Sequence, residues 1–250
     1  DLTSAQYTLF QTERSPEELY DVENDPDEVI NLAEIPQYQD VLVELRQKLE
    51  QEVLRIFDTG FMPEPEMNRL AANSTPYEIA RDQELFPLQE ILNASNLMLQ
   101  DEMNIQTVLE KLNHPNGFVR YWALISVESQ QLFEPEILEQ LHLMLDDDFA
   151  TVQIEAAKTL IKAGETHAVQ VLLKYMQGEN DQLLLYAARA FEQTWHLLPE
   201  IPEEFYSLYE KLKKQTEGKW QGHDLYAFWS MTQVLQNEDV RPPDEVNYAN

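Results

Sequence analysis

Between residues 17 and 28 the chain carries seven carboxylates: Glu17, Glu18, Asp21, Glu23, Asp25, Asp27 and Glu28. Two chemistries would use such a set, a calcium loop or a pair of catalytic acids. An EF-hand loop opening at Asp21 needs Gly at its sixth position for the bend and Glu at its twelfth for bidentate ligation. Pro26 and Leu32 stand there. The run Asp146–Asp148 fails in the same way, because Ala150 takes the fifth position. Acid–base work needs two carboxyls in unlike environments, one of them usually partly buried. All seven acids lie beside turn formers and read as solvated. A capping role accounts for them better. Asp25 suits a helix N-cap, Pro26 the first helical position, and Glu28 can reach back to the cap N–H. The preceding "EELYDV" has the short, aromatic-containing pattern of a strand.

Other chemistries lack their residues. There is no cysteine, so neither a thiolate nucleophile nor a thiolate metal site exists in this chain. Gly60, Gly117, Gly164, Gly178, Gly218 and Gly222 build no Walker loop, G-x-G-x-x-G or G-x-S-x-G. His114, His142, His167, His196 and His223 form no HExxH pair, and His114 and His142 read as structural. With 17 basic against 46 acidic residues the net charge is −29, which repels phosphate backbones and anionic lipids. Lys211, Lys213, Lys214 and Lys219 form the basic cluster and read as one solvated helix face. Trp220, Tyr226, Phe228 and Trp229 could stack on sugar rings, but their expected role is packing of the last helices. No apolar run is long enough to span a membrane, the chain carries no basic-then-apolar signal pattern, and it begins at Asp1 with no initiator Met, so it reads as a mature or excised piece.

The elements that must position these residues fall into four regions. Residues 1–68 are expected as a small α+β segment: the strand, the capped helix at Asp25, and a longer helix after Pro36. In that helix Leu42, Leu45, Leu49, Val53 and Ile56 share one stripe, with Glu44 and Lys48 paired on its wet side. Residues 69–100 read as helical connectors, broken near "NSTP" and at Pro87. Residues 101–236 are helical throughout and repetitive. "LNHPNGFVRYWAL", "LDDDFATVQIEAA" and "MQGENDQLLLYAA" open at Leu112, Leu145 and Met176, each with a polar turn before a helix. Val119, Val152 and Leu183 coincide, as do Ala123, Ala156 and Ala187. Small residues at matched positions let stacked helix pairs approach and bury one continuous core. "HDLYAFWSM" is a degenerate fourth unit. Residues 237–250 read as a flexible tail. The fold class is therefore mainly α, a solenoid of about three to four helix pairs behind the α+β segment.

The third region resembles HEAT repeats, in which an Asp and an Arg ladder between units. Arg120 follows this pattern in "NGFVR", whereas Gln153 and Leu184 stand in the next two units. The opening segment resembles the C-terminal subdomain of the sulfatase family. Its pattern L-Y-D-x-x-x-D-P-x-E-x-x-N-L is met by Leu19, Tyr20, Asp21, Asp25, Pro26, Glu28, Asn31 and Leu32, with Val22 where Leu is commoner. "DTGFMPEPEM" and "TPYEIARD" resemble segments that join such subdomains to HEAT-like extensions in some bacterial sulfatases. The resemblance implies an upstream alkaline-phosphatase-like core that hydrolyses sulfate esters with a formylglycine and a calcium ion. It also implies a periplasmic or extracellular location. No cofactor is expected in this chain, since the nearest match to the C/S-x-P-x-R signature, Ser74 to Glu78, puts Glu78 in place of Arg. The expected partner is the upstream catalytic domain. A protein-interaction scaffold, with a protein partner or a second copy on the repeats, is the alternative. Glycan binding through the four aromatics ranks third.

Overall fold

The computed structural model describes residues 3, 6, 7, 10, 15–100 and 103–237. The expected tail lies, apart from Asn237, outside the described residues. Twelve α-helices are described: α1 Gln39–Ile56, α2 Glu64–Leu70, α3 Pro76–Ile79, α4 Leu88–Ser95, α5 Ile105–Leu112 and α6 Gly117–Ser129; then α7 Pro135–Met144, α8 Ala150–Lys162, α9 Val169–Gln177, α10 Asp181–Thr194, α11 Glu203–Gln215 and α12 His223–Asn237. No strand forms among the described residues. The α+β expectation for the opening segment is therefore corrected, and the fold is helical.

The repeats alternate between two layers. Helices α4, α6, α8, α10 and α12 pack side by side as one layer, and α5, α7, α9 and α11 back them as the other. The polar turns start the helices for local reasons. The Asn116 side chain accepts from Phe118 N at 3.0 Å to open α6, and Asn180 accepts from Gln182 and Leu183 N at 3.1 Å to open α10. Asn104 does the same for α5, and Pro135 occupies the first turn of α7. Ala123, Ala156 and Ala187 are fully buried where neighbouring even helices meet. Each contributes little side-chain volume, which permits the close approach.

Aromatic rings mark the successive turns. Phe86, Phe118 and Phe149 form an edge-to-face series with centroids 5.2 and 5.3 Å apart. Gly117 makes room for it, since a Cβ there would lie 2.3 Å from the Phe149 ring. The ladder expected of such repeats has one charged rung. Arg120 Nε and Nη2 each reach a carboxylate oxygen of Asp147 at 2.7 Å, and Nη1 donates to the carbonyls of His114 and Pro115. Asp148 joins the same guanidinium. At the next unit Gln153 replaces the arginine. Its Nε2 donates to Asp147 O at 2.5 Å, and its Oε1 accepts from Tyr175 Oη at 2.8 Å, so the ladder continues as neutral hydrogen bonds.

Helix α1 contains neither glycine nor proline and runs 18 residues. It stops where Phe57 turns left-handed at φ 56°, with Asp58 N donating to Val53 O. Among the described α-helices it packs chiefly on α4.

Candidate interaction surfaces

The opening acids form turns. The strand expected in "EELYDV" does not form among the described residues, where 17–21 carry no helix or strand, and Asn31 ties this stretch to the turn that follows. Its Oδ1 accepts from Leu19 N at 2.9 Å, its Nδ2 donates to Glu17 O at 3.1 Å, and Leu32 N donates to Leu19 O at 2.7 Å. The helix expected at Asp25 does not form either. Asp25 Oδ2 accepts from Val29 N at 2.9 Å and Ile30 N at 2.8 Å, closing a turn. Glu28 at φ 51° leaves right-handed helical space, so the chain cannot propagate a helix past it. Asp21 accepts from the Asn24 side chain at 2.8 Å, and this bond holds its carboxyl below the usual range. Tyr20 and Leu32 are half-buried, and Pro26 is exposed. The segment is clasped to α1 by Glu17, which takes Arg46 Nε at 2.7 Å and Nη2 at 2.5 Å.

The stripe on α1 is only partly used. Leu42 and Val53 are buried, whereas Val41, Leu45, Ile56 and Leu49 are between 45% and 64% exposed. Helical geometry places these four side by side, next to the buried edge. The face borders a groove of about 260 Å³ whose walls include Leu49, Val53, Phe61, Leu92, Leu99 and Trp122. Among the described residues nothing covers this apolar face, which stands out on a chain of charge −29.

The even layer, by contrast, is already crossed by the chain's own residues 57–71, termed the strap below. Phe61 packs on Trp122 of α6, with ring centroids 5.3 Å apart, and its carbonyl accepts from Trp122 Nε1 at 2.9 Å. Glu66 is buried, and its Oε1 accepts from Thr151 N at 3.3 Å and Thr151 Oγ1 at 3.4 Å. Phe149, at the N-cap of α8, offers no side-chain cap, so the Glu66 carboxylate supplies one and complements the helix dipole. Arg69 pairs with Glu66 at 2.7 Å and lies over the Phe149 ring at 5.0 Å. Glu64 lies 3.7 Å from His223 of α12, whose other nitrogen is 3.6 Å from Asp181 of α10.

A buried ionic group sits between α6 and α8. Lys158 Nζ lies 2.5 Å from Glu155 Oε1 and 2.7 Å from Glu128 Oε2, and Lys162 also reaches Glu128. Burial pushes the Glu155 carboxyl up, despite the Lys158 ammonium, and its hydrogen bond to Glu128 adds to the rise. Glu128 is held low: burial would raise it, but the Glu155 hydrogen bond and the two ammoniums outweigh that. Burial also pushes the Tyr121 phenol far up, so it stays neutral. The two carboxyls are thus shifted in opposite directions, Glu155 up and Glu128 down, an arrangement that spacing on separate helices did not reveal.

The remaining candidates are dispersed. Ser74 lies before α3, and Thr75 caps that helix. Ser74 Oγ and Thr75 Oγ1 both donate to Glu78 Oε2 at 3.1 Å. A carboxylate there repels a sulfate, so these residues do not fit a formylglycine site. Among the described residues no three histidines or carboxylates are grouped as a metal ion requires, and the calcium of the implied family has no set of ligands here. His114 Nδ1 accepts from Asn116 N at 3.1 Å and so closes a repeat turn. Lys211 and Lys219 line one groove, but Glu179, Asp181 and Asp224 line it too, and Lys219 is paired with Asp224. The aromatic group is corrected in part. Phe228 packs on Tyr209 at 5.2 Å, whereas Trp220 is 94% exposed and Trp229 51%.

Residues 105–191 match the family model described as HEAT repeats, which is the class that the two helical layers define. Over 82 residues the chain is 38% identical to the "Ulvan-active sulfatase" of Formosa agariphila, covering 32% of this chain and 14% of that protein. Over 100 residues it is 26% identical to the "Uncharacterized phycocyanin operon protein Z" of Pseudanabaena tenuis, covering 40% of this chain and 48% of that one. The chain therefore spans less than half the length of either curated relative. No solved structure matches it. None of the described helices is long and apolar enough to cross a membrane.

Proposed function

We propose that this chain is the C-terminal accessory part of a sulfatase, a non-catalytic HEAT-repeat scaffold that extends and positions the enzyme's core. In this reading residues 1–68 end the C-terminal subdomain, with Leu19, Tyr20, Asp21, Asp25, Pro26, Glu28, Asn31 and Leu32 as its architectural signature. Residues 69–100 connect, 101–236 form the repeats, and 237–250 are a tail. The parent enzyme hydrolyses sulfate esters on carbohydrates in the periplasm or outside the cell. Its formylglycine and calcium reside in the upstream domain, and no step of that reaction falls to the residues described here.

The observation that carries the reading is the 38% identity to a sulfatase over 82 residues. The open α1 face supports it physically. Burying Val41, Leu45, Leu49 and Ile56 against a neighbouring domain would stabilise the contact at roughly 25 cal/mol per Å² of apolar area. The test mixes the purified chain with the catalytic domain encoded upstream in the same polypeptide and follows the complex by light scattering, beside an aryl-sulfate assay of each part. The expected result is association that Leu45→Glu with Leu49→Glu abolishes, and no turnover by the chain alone. Turnover by the chain that Ser74→Ala removes, or a catalytic domain that ignores the chain, would overturn the proposal.

A further inference from the structure

The strap has the properties of a bound peptide. It is short, it crosses four helices that are separated in sequence, and side chains rather than a shared backbone ladder hold it. Phe61 seats on Trp122, and Trp122 Nε1 donates to its carbonyl at 2.9 Å. Five residues on, Glu66 caps α8 through Thr151 N at 3.3 Å and Thr151 Oγ1 at 3.4 Å, with its side chain almost fully buried. Met62 and Pro63 between them are extended, at φ −92° ψ 116° and φ −55° ψ 129°, and Pro65 opens the short helix that presents Glu66. Two prolines in five positions reduce the entropy that such a segment loses on docking. Its anchors between Phe61 and Glu66 belong to the repeats: an indole on α6, an uncapped helix start on α8, and His223 on α12 beside Glu64, while Phe57 at its start lies under Arg81 of the connector.

We propose that the even layer of the repeats is a peptide-reading surface whose resident occupant is the strap. Its partner class is a protein segment of the same chemistry, an aromatic residue followed five positions later by a glutamate, with proline between. The strap is thereby autoinhibitory. Tethered at both ends, it faces its groove at an effective concentration on the order of millimolar, so a competing segment in trans binds weakly until the strap is displaced. The proposal stands apart from the sulfatase reading, since it uses contacts within the described chain alone.

The test uses a labelled synthetic peptide of residues 57–71 and fluorescence anisotropy. The targets are the wild-type chain and the variant Phe61→Ala with Glu66→Ala, which weakens the strap and leaves the groove intact. The peptide is expected to bind the folded variant at least about tenfold more tightly than wild type. Adding Trp122→Phe, which removes the indole donor, is expected to reduce that binding. A peptide carrying the two alanines is expected to bind neither chain. A variant with wild-type circular dichroism that gains no affinity would overturn the proposal, and so would equal binding of the alanine peptide. Should the double variant fail to fold, Glu66→Gln carries the same comparison with a smaller gain.

Discussion

The two ends of this molecule solve the same problem differently. In the repeats, α6, α8 and α10 each bury Ala at the matched position, and Phe118, Leu160 and Phe191 are closed from solvent on all sides. In the opening part, α1 buries Leu42 and Val53 and leaves Val41, Val43, Leu45, Leu49 and Ile56 exposed, while residues 17–33 are tied down mainly by side chains, among them Asn31 on Leu19, Glu17 on Arg46 and Gln39 on Ala33. Stacked helix pairs supply their own neighbours, so the repeats need no other body. A single helix beside turns cannot cover its own apolar face. The difference separates a part that buries its apolar faces on its own neighbours from a part that, among the described residues, leaves one apolar face open.

The comparison breaks most sharply in the core. Phe118→Ala is expected to destabilise the chain by about 3–5 kcal/mol, because its ring joins two neighbouring rings and no solvent can refill the space. Leu49→Ala, on the open face of α1, is expected to change stability by less than about 0.5 kcal/mol. Urea denaturation of both variants reads the contrast, and equal losses would erase it.

Arg120→Ala comes next. It leaves Asp147 buried without its guanidinium, at a cost of about 3 kcal/mol. Gln153→Ala is expected to cost less, about 1 kcal/mol, since its rung is made of neutral hydrogen bonds. Thermal melts of the two variants compare the charged rung with the neutral one.

A smaller effect lies in the pH dependence. Glu155 keeps its proton in the fold up to about 8, whereas an ordinary glutamate loses it near 4.5. The folded chain therefore binds more protons across that window, and this contribution to stability is lost as pH rises from 4.5 to 8. Glu155→Gln is expected to flatten that decline, read as the urea midpoint at pH 5 and pH 8. An unchanged slope would show that the raised Glu155 carboxyl does not set this pH dependence.

The repeats were legible because their signals are local and doubled. Asn116 and Asn180 in their polar turns start α6 and α10, and period and spacing then place the alanines. Burial of Glu66 was not legible, since its partner Thr151 is distant in sequence and the contact depends on how the strap crosses α8. The acidic opening misled for a physical reason. Asp25–Pro26–Glu28 satisfies the composition of a helix cap, yet Glu28 takes φ 51° and Asp25 spends its acceptor on two turn amides. The "EELYDV" pattern fits a strand, but a strand needs a partner, and among the described residues no strand forms. Periodicity puts Leu42, Leu45, Leu49, Val53 and Ile56 on one side of α1, but cannot say which of them are covered, and only Leu42 and Val53 are buried.

Hydrogen exchange followed by mass spectrometry on the intact chain tests the central contrast most directly. Amides of α6, α8 and α10 are expected to exchange only through global opening, and those of residues 17–33 and the first half of α1 by local opening, at least about a hundredfold faster. Protection of α1 equal to that of α8 would contradict the account, because the opening part would then be integral to the same cooperative core.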